Sequence, residues 1–125
     1  MADARHGLGN RGEALAADYL EKHGYTIRER NYRVPNLGEI DIVAEEAGCL
    51  VYVEVRTRRG RAYGTPEDSI TVAKKLRLVQ LAMSYRQEHA DLPLPGDERI
   101  DVVAVELTPA GRVFRIEIIK NAIGV

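Results

Sequence analysis

Two acidic residues on neighbouring predicted strands, Asp41 and Glu54, carry the clearest chemical signal in the sequence. Two strand-like runs flank Ala47-Gly48, and so short a connection predicts a β-hairpin. With those two residues as the turn, positions whose numbers sum to 95 pair across the hairpin, and Asp41 faces Glu54. Opposed carboxylates repel each other, so they need a cation, a shared proton or good solvation. A divalent hard cation such as Mg²⁺ binds one or two carboxylates plus waters, and it can polarise a phosphoryl oxygen and generate a hydroxide nucleophile.

The alternation of side chains along the hairpin predicts one polar and one apolar face. The polar face holds Glu39, Asp41, Tyr52, Glu54 and Arg56, and the apolar face, which we expect to be the core side, holds Ile40, Ile42, Val51, Val53 and Val55. Spacing alone leaves two interpretations open. One is a metal site beside a basic group, and the other is a solvent-facing hairpin whose acids form surface salt bridges with Arg56 and Arg58.

Basic residues follow the hairpin in two groups. They are Arg56, Arg58, Arg59 and Arg61, and then Lys74, Lys75 and Arg77. The formal net charge of −1 gives no overall attraction to nucleic acid, but a binding face needs only local positive potential. The arginine cluster is either a rim that binds backbone phosphates or a solvated charged face. With one Phe, no Trp and scattered tyrosines, the sequence offers no platform for stacking bases, which favours duplex or junction binding over single strands.

The first element that must position these residues is a helix. Asn10 and Glu13 match a capping box, which predicts that the helix begins there. It should run to about His23 and end at Gly24.

The remaining elements give the order αβββαββ. We expect a strand over 25–33, the hairpin, a loop over 60–69, a helix over 71–88 with an apolar stripe of Val72, Leu76, Val79 and Met83, and strands over 99–107 and 112–119. This order predicts an α/β fold with a mixed central sheet of about five strands flanked by two helices. A chain of 125 residues fits one domain, so we expect residues 1–125 to form a single domain.

Short motifs in a fixed order run along most of the chain. G-E-I-D-I-V-A at 38–44 and V-Y-V-E-V-R at 51–56 are similar to the core of PD-(D/E)XK nucleases, where an Asp closes one strand and a Glu and a Lys lie two apart on the next. The wider series is G-x-x-G-E-x-x-A at 9–16, R-N-Y-R at 30–33, G-T-P-E-D-S-I at 64–70, K-K at 74–75 and R-I-D-V-V-A-V at 99–105. Together these motifs resemble the YraN-type bacterial family, which is similar to archaeal Holliday-junction resolvases. The resemblance implies a restriction-endonuclease-like fold and a metal-dependent endonuclease acting on DNA or RNA, with branched DNA the favoured substrate.

The resemblance also implies metal ligands. Asp41 and Glu54 would bind Mg²⁺ or Mn²⁺. Glu13 matches the further acidic residue that related resolvases bring to the metal, although the helix cap is an equal alternative.

One position departs from the nuclease pattern, because Arg56 occupies the place of the motif lysine. Arginine cannot release its proton, so Arg56 can act as an electrostatic clamp but not as a general base. Lysine migration to a neighbouring helix is known within the superfamily, and this makes Lys74 or Lys75 the candidate replacement. The alternative for both lysines is an exposed helix start.

Several other residues have structural interpretations. Asp101, in the middle of a strand, needs a partner such as Arg99 or an arginine of the first strand. Tyr85 and Gln80 resemble residues that some related nucleases place near the site, but we expect Tyr85 in the core. Cys49 is the only cysteine, which excludes an intrachain disulfide, and we expect a buried thiol. The three histidines lack zinc-site spacing.

Three functions remain open at this point: a nuclease, a nucleic-acid-binding module of the same fold without turnover, and a protein-interaction domain. Nucleic acid is the expected partner, with DNA favoured over RNA. Related resolvases work as dimers, so we also expect a homodimer through an edge strand or the second helix. The sequence has neither a membrane-spanning apolar stretch nor a signal peptide, which predicts a cytoplasmic protein with no membrane partner.

Overall fold

The computed structural model describes residues 4–62 and 64–123. Tyr63, in the predicted 60–69 loop, lies outside them, as do the side chains of residues 4–6, His6 included. The helices and strands are α1 (Ala4–Lys22), β1 (Thr26–Val34), β2 (Gly38–Glu46), β3 (Cys49–Arg59), a one-turn 3₁₀ helix (Pro66–Ser69), α2 (Val72–Glu88), β4 (Asp97–Leu107) and β5 (Val113–Ile123).

The described strands form one sheet in the order β1-β2-β3-β4-β5. Neighbouring strands are antiparallel except for β3 and β4. Those two are parallel because α2 carries the chain back across the sheet between them. The predicted α/β architecture, with a mixed five-strand sheet and two helices, is confirmed.

Each face of the sheet is covered by one helix. On one face α1 packs Ala16, Ala17 and Leu20 against Ile42, Ala44, Val51, Val53, Val103 and Val105. On the other face α2 packs Leu78, Leu81, Ala82 and Tyr85 against Ile40, Val43, Leu50, Tyr52 and Ile100. The prediction of one core side is therefore wrong, because Tyr52 from the predicted polar face is buried under α2.

Helix α1 begins by Ala4, well before the predicted cap. The capping-box prediction is wrong, since Asn10 and Glu13 both lie inside the helix. Leu8 packs against the core under α1, and this contact extends the helix through glycines that have poor intrinsic propensity. The helix cap is therefore removed as an explanation for Glu13.

The predicted apolar stripe of α2 does not face the core. Val72, Leu76 and Met83 are 73%, 62% and 64% exposed, and Val79 is partly buried. The buried residues are Leu78, Leu81, Ala82 and Tyr85. Both sets of residues repeat at helical spacing, so periodicity alone could not show which set faces the sheet. The set that contains Tyr85 is buried because Tyr85 packs edge-on against Tyr32 and Tyr52.

Asp101 is fully buried and has a structural role, as predicted. It accepts hydrogen bonds from Tyr25 Oη at 2.8 Å, Arg99 Nε at 3.0 Å and the backbone N–H of Asn121 at 2.9 Å. Cys49 is only half-buried, because it lies at the turn end of β3. Within residues 4–62 and 64–123, no helix combines the length and apolar content that crossing a bilayer requires.

Candidate metal centre

Asp41 and Glu54 come together where β2 and β3 stop pairing. The predicted register holds from Ile42–Val53 to Glu46–Cys49, and the backbone ladder ends there. Beyond it, Asp41 Oδ2 accepts a hydrogen bond from the backbone N–H of Val55 at 2.8 Å. The side chain takes the place of a ladder bond and holds the Asp41 carboxyl against β3, beside Glu54.

The regular alternation of β2 breaks at Asp41. Ile40 packs with the α2 core, whereas Ile42, two residues later, packs with the α1 core. In β1, Arg30 pairs with Ile42 and Tyr32 pairs with Ile40, so Asn31 lies opposite Asp41. The φ of Asn31 is 56°, which lies in the left-handed region. This local irregularity turns the Asp41 side chain toward the gap between β2 and β3.

Asp41 holds its proton far more tightly than an ordinary carboxyl. Its pKa is raised to about 9, first because burial disfavours the charged form and then because Glu54 repels a second negative charge, while the hydrogen bond from Val55 acts in the opposite direction. Glu54 is 3% exposed, and its Oε2 accepts no hydrogen bond within the described part of the chain. A buried anionic oxygen is unfavourable unless a proton or a cation compensates it, and the Lys74 ammonium lies 3.1 Å from this one. A divalent cation fits this pair.

Two cationic side chains flank Glu54. Lys74 Nζ lies 3.1 Å from Glu54 Oε2, and Arg56 Nη1 lies 3.7 Å from the same oxygen. Thr71 caps α2 by accepting a hydrogen bond from the backbone N–H of Lys74, which fixes where the helix begins and directs Lys74 toward the sheet. Lys75 is exposed. The structure therefore brings Lys74, and not Lys75, to the carboxylate pair.

Glu13 lines the same groove as Asp41 on the α1 side of the sheet, where α1 approaches β3 closely at Gly12. A Cβ at Gly12 would lie only 1.9 Å from Thr57 Oγ1. Burial raises the pKa of Glu13, Arg30 partly offsets this, and the charge of Glu13 in turn helps to raise the pKa of Asp41. Sequence reasoning quoted Gly12 only as part of the 9–16 motif and gave it no role, although a glycine inside a predicted helix is a signal of close packing.

Two concave spaces meet at Asp41. A groove of about 930 Å³ on the α1 side is lined by Glu13, Glu39, Asp41, Arg56, Arg58 and Arg59 among others. A cavity of about 190 Å³ on the α2 side is lined by Asp41, Glu54, Lys74 and Arg77 among others. Within residues 4–62 and 64–123, no three Asp, Glu, His or Cys side chains are close enough to hold one ion together. The site therefore offers two carboxylates, and direct ligation by Glu13 stays a prediction.

The predicted arginine rim divides into two parts. Arg56, Arg58 and Arg59 lie on the groove. Arg61 instead donates from Nε and Nη2 to both carboxylate oxygens of the buried Glu106, at 2.8 and 3.1 Å. Because that pairing already engages its guanidinium, Arg61 is a weaker candidate for a phosphate contact than the other three.

The fold and the site define an α/β protein with a buried carboxylate pair beside a basic groove. The model of the uncharacterised protein family UPF0102 matches residues 12–105, a range that includes all the candidate site residues. A UPF0102 protein of Symbiobacterium thermophilum is 48% identical over 115 residues, covering 92% of this chain and 94% of that protein. A relative from Dehalococcoides mccartyi is 46% identical over 124 residues, covering 99% and 98% of the two chains. The chain therefore belongs to the UPF0102 family, which confirms the YraN-type assignment.

Proposed function

We propose that this chain is a metal-dependent endonuclease-like protein with a restriction-endonuclease-like fold, acting on nucleic acid and on DNA in preference to RNA. The observation that carries the proposal is the buried pair Asp41 and Glu54 beside a basic groove, with Lys74 Nζ 3.1 Å and Arg56 Nη1 3.7 Å from Glu54 Oε2. Carboxylate oxygens in this state are suitable ligands for Mg²⁺ or Mn²⁺.

The side chains around the pair supply binding and charge stabilisation. Asp41 and Glu54 would hold the cation, which stabilises charge at a phosphoryl oxygen and lowers the pKa of a bound water. Lys74, as an ammonium beside Glu54, can donate a proton to a reacting oxygen, which the guanidinium of Arg56 cannot do. Glu13 adds negative charge from the α1 side.

The groove favours recognition through the phosphate backbone. Arg56, Arg58 and Arg59 line it, and none of the described residues that line it is aromatic. Contacts from arginine to phosphate carry little sequence information and weaken steeply as salt rises. Duplex or branched DNA is therefore the substrate class that we propose, with branched DNA favoured by the resemblance to resolvases. Symmetric cleavage of a branched substrate would require a homodimer.

The proposal is tested by cleavage of labelled junction, duplex and single-stranded DNA with Mg²⁺ or Mn²⁺ at low and moderate salt. Wild type is compared with Asp41→Ala, Glu54→Ala and Glu21→Ala, the last an exposed carboxylate of α1. We expect cleavage in wild type and in the Glu21 control and none in the other two variants. Intact substrates under all conditions, or equal cleavage by all variants, would contradict the proposal.

A nucleic-acid-binding module without turnover is the second candidate, and Arg56 is the observation that favours it. An arginine at this position keeps positive charge next to Glu54 but removes a base. Salt-sensitive binding of DNA by a protein that binds Mn²⁺ but leaves every substrate intact would select this function.

A further inference from the structure

The 3₁₀ helix at Pro66–Ser69 is fixed from several sides. Thr65 and Asp68 form a capping box at its start. In it the backbone N–H of Thr65 donates a hydrogen bond to Asp68 Oδ2 at 3.0 Å. Pro66 is buried. Glu67 pairs with Arg115 of β5, whose Nη2 lies 2.8 Å from Glu67 Oε1. A short turn with this many partners holds its last residue, Ser69, in a defined place.

Ser69 uses its hydroxyl in two directions. Ser69 Oγ donates a hydrogen bond to the carbonyl oxygen of Pro66 at 2.6 Å. Ser69 Oγ also accepts a hydrogen bond from Arg56 Nε at 2.7 Å. Because the hydroxyl proton is donated to Pro66, Ser69 Oγ can act toward Arg56 only as an acceptor. The turn therefore fixes the position of Nε and the plane of the guanidinium.

The other end of the guanidinium remains available. Arg56 Nη1 lies 3.7 Å from Glu54 Oε2, and neither terminal nitrogen donates a hydrogen bond to any residue that the structure describes. The side chain is 26% exposed and borders the groove next to Asp41. An arginine held at Nε, whose terminal nitrogens donate no hydrogen bond to the described residues and of which Nη1 has only a 3.7 Å ion pair to Glu54, can turn its fork of donors to two oxygens of one phosphate.

We propose that Ser69 is a positioning residue that orients Arg56 as a phosphate clamp at the edge of the carboxylate pair. The inference rests on the proposed function, since it assumes a phosphodiester substrate in the groove. It gives the motif T-P-E-D-S at 65–69 a role, and it explains an arginine where the nuclease motif has lysine. A lysine ammonium could not bond to Ser69 through one nitrogen and present two others to a phosphate.

The energetic benefit of the clamp is preorganisation. A free arginine loses rotamer freedom when it binds a phosphate, and immobilising one such side chain weakens binding about 2- to 12-fold. In this protein Ser69 restricts the side chain before the substrate arrives. Removing the hydroxyl should therefore weaken binding by a similar factor without removing the charge.

The test is a double-mutant cycle that measures binding of a fluorescein-labelled DNA duplex by anisotropy, with Ca²⁺ present. The variants are Ser69→Ala, Arg56→Lys, the double variant and Ser69→Thr, which keeps the hydroxyl. Ser69→Ala should raise the Kd about 3- to 10-fold in wild type but less than about 2-fold in the Arg56→Lys background, and Ser69→Thr should bind within about 2-fold of wild type. Thermal melting checks that each variant is folded.

Two outcomes overturn the inference alone. One is equal weakening by Ser69→Ala in both backgrounds, which would mean that Ser69 supports the turn rather than Arg56. The other is unchanged binding by Ser69→Ala in wild type. No binding of duplex by wild type would overturn the inference together with the proposed function.

Discussion

Replacing Gly12 by alanine should force α1 away from β3. The added methyl carbon would lie 1.9 Å from Thr57 Oγ1 and 2.9 Å from Thr57 Cβ, whereas such atoms prefer separations of about 3.5–4.0 Å. Rotation of the Thr57 side chain cannot relieve the second overlap, because Cβ does not move with χ1. The helix must therefore retreat by roughly 0.6–1.1 Å, and Glu13 must retreat with it.

The expected loss of stability follows from two opposing effects. Overpacking of a close contact costs about 3 kcal/mol at the upper end of its usual range, which so severe an overlap justifies. Alanine in place of glycine inside a helix returns about 1 kcal/mol. We therefore expect Gly12→Ala to lower the free energy of unfolding by about 2 kcal/mol and the melting temperature by about 6–10 °C.

Urea unfolding followed by circular dichroism measures this loss. Gly9→Ala is the matched control, because Gly9 lies in the same helix with nothing within 4 Å of an added Cβ, and it should leave stability unchanged or raise it. In a Thr57→Gly background, Gly12→Ala should have little effect, since the atoms that it meets are gone. Equal stability of Gly12→Ala and Gly9→Ala would refute the close approach of α1 to β3.

Three further variants test the electrostatics and the core. Asp41 has a folded pKa of about 9, above its unfolded value of about 4, so the native state binds the extra proton and wild-type stability falls as pH rises between these values. Asp41→Asn removes this pH dependence, so its free energy of unfolding should rise relative to that of wild type by at least about 1 kcal/mol between about pH 5 and about pH 8. Thermal melts over this pH range measure the difference, and parallel pH dependence of the two proteins would contradict the prediction. In urea unfolding, Leu81→Ala should lower the free energy of unfolding by about 2–5 kcal/mol, because Leu81 is buried. Replacement of the exposed Leu76 by alanine should change it by no more than about 0.5 kcal/mol. The reverse ranking would contradict the assigned face of α2.

The order of elements and the hairpin register were predictable because they depend on local signals. Gly and Pro punctuation and β-branched runs mark the strands, and a two-residue connection leaves little choice of register from Ile42–Val53 onward. The same alternation correctly suggested that Asp41 and Glu54 approach each other. The predicted cause of this approach was wrong, because strand pairing does not extend to Asp41 and Glu54. A hydrogen bond from the backbone N–H of Val55 to the Asp41 side chain holds Asp41 beside Glu54 instead.

The choices that failed depend on tertiary packing. Leu76 and Leu78 lie on different faces of α2, and spacing alone does not reveal which face finds a sheet. The start of α1 depends on the contact of Leu8 with a core that the sequence does not display. Likewise, the arginine run reads as one cluster, but Arg61 is drawn to Glu106 from a strand far along the chain.

Calorimetric titration with Mn²⁺ tests the central claim, a divalent cation site at Asp41 and Glu54, most directly. Wild type and the exposed-carboxylate control Glu21→Gln should bind Mn²⁺ with the same saturable isotherm. Glu54→Gln, which keeps the shape of the side chain but removes its charge, should weaken binding by at least about tenfold while remaining folded. No saturable binding by wild type, or unchanged affinity in Glu54→Gln, would contradict the claim.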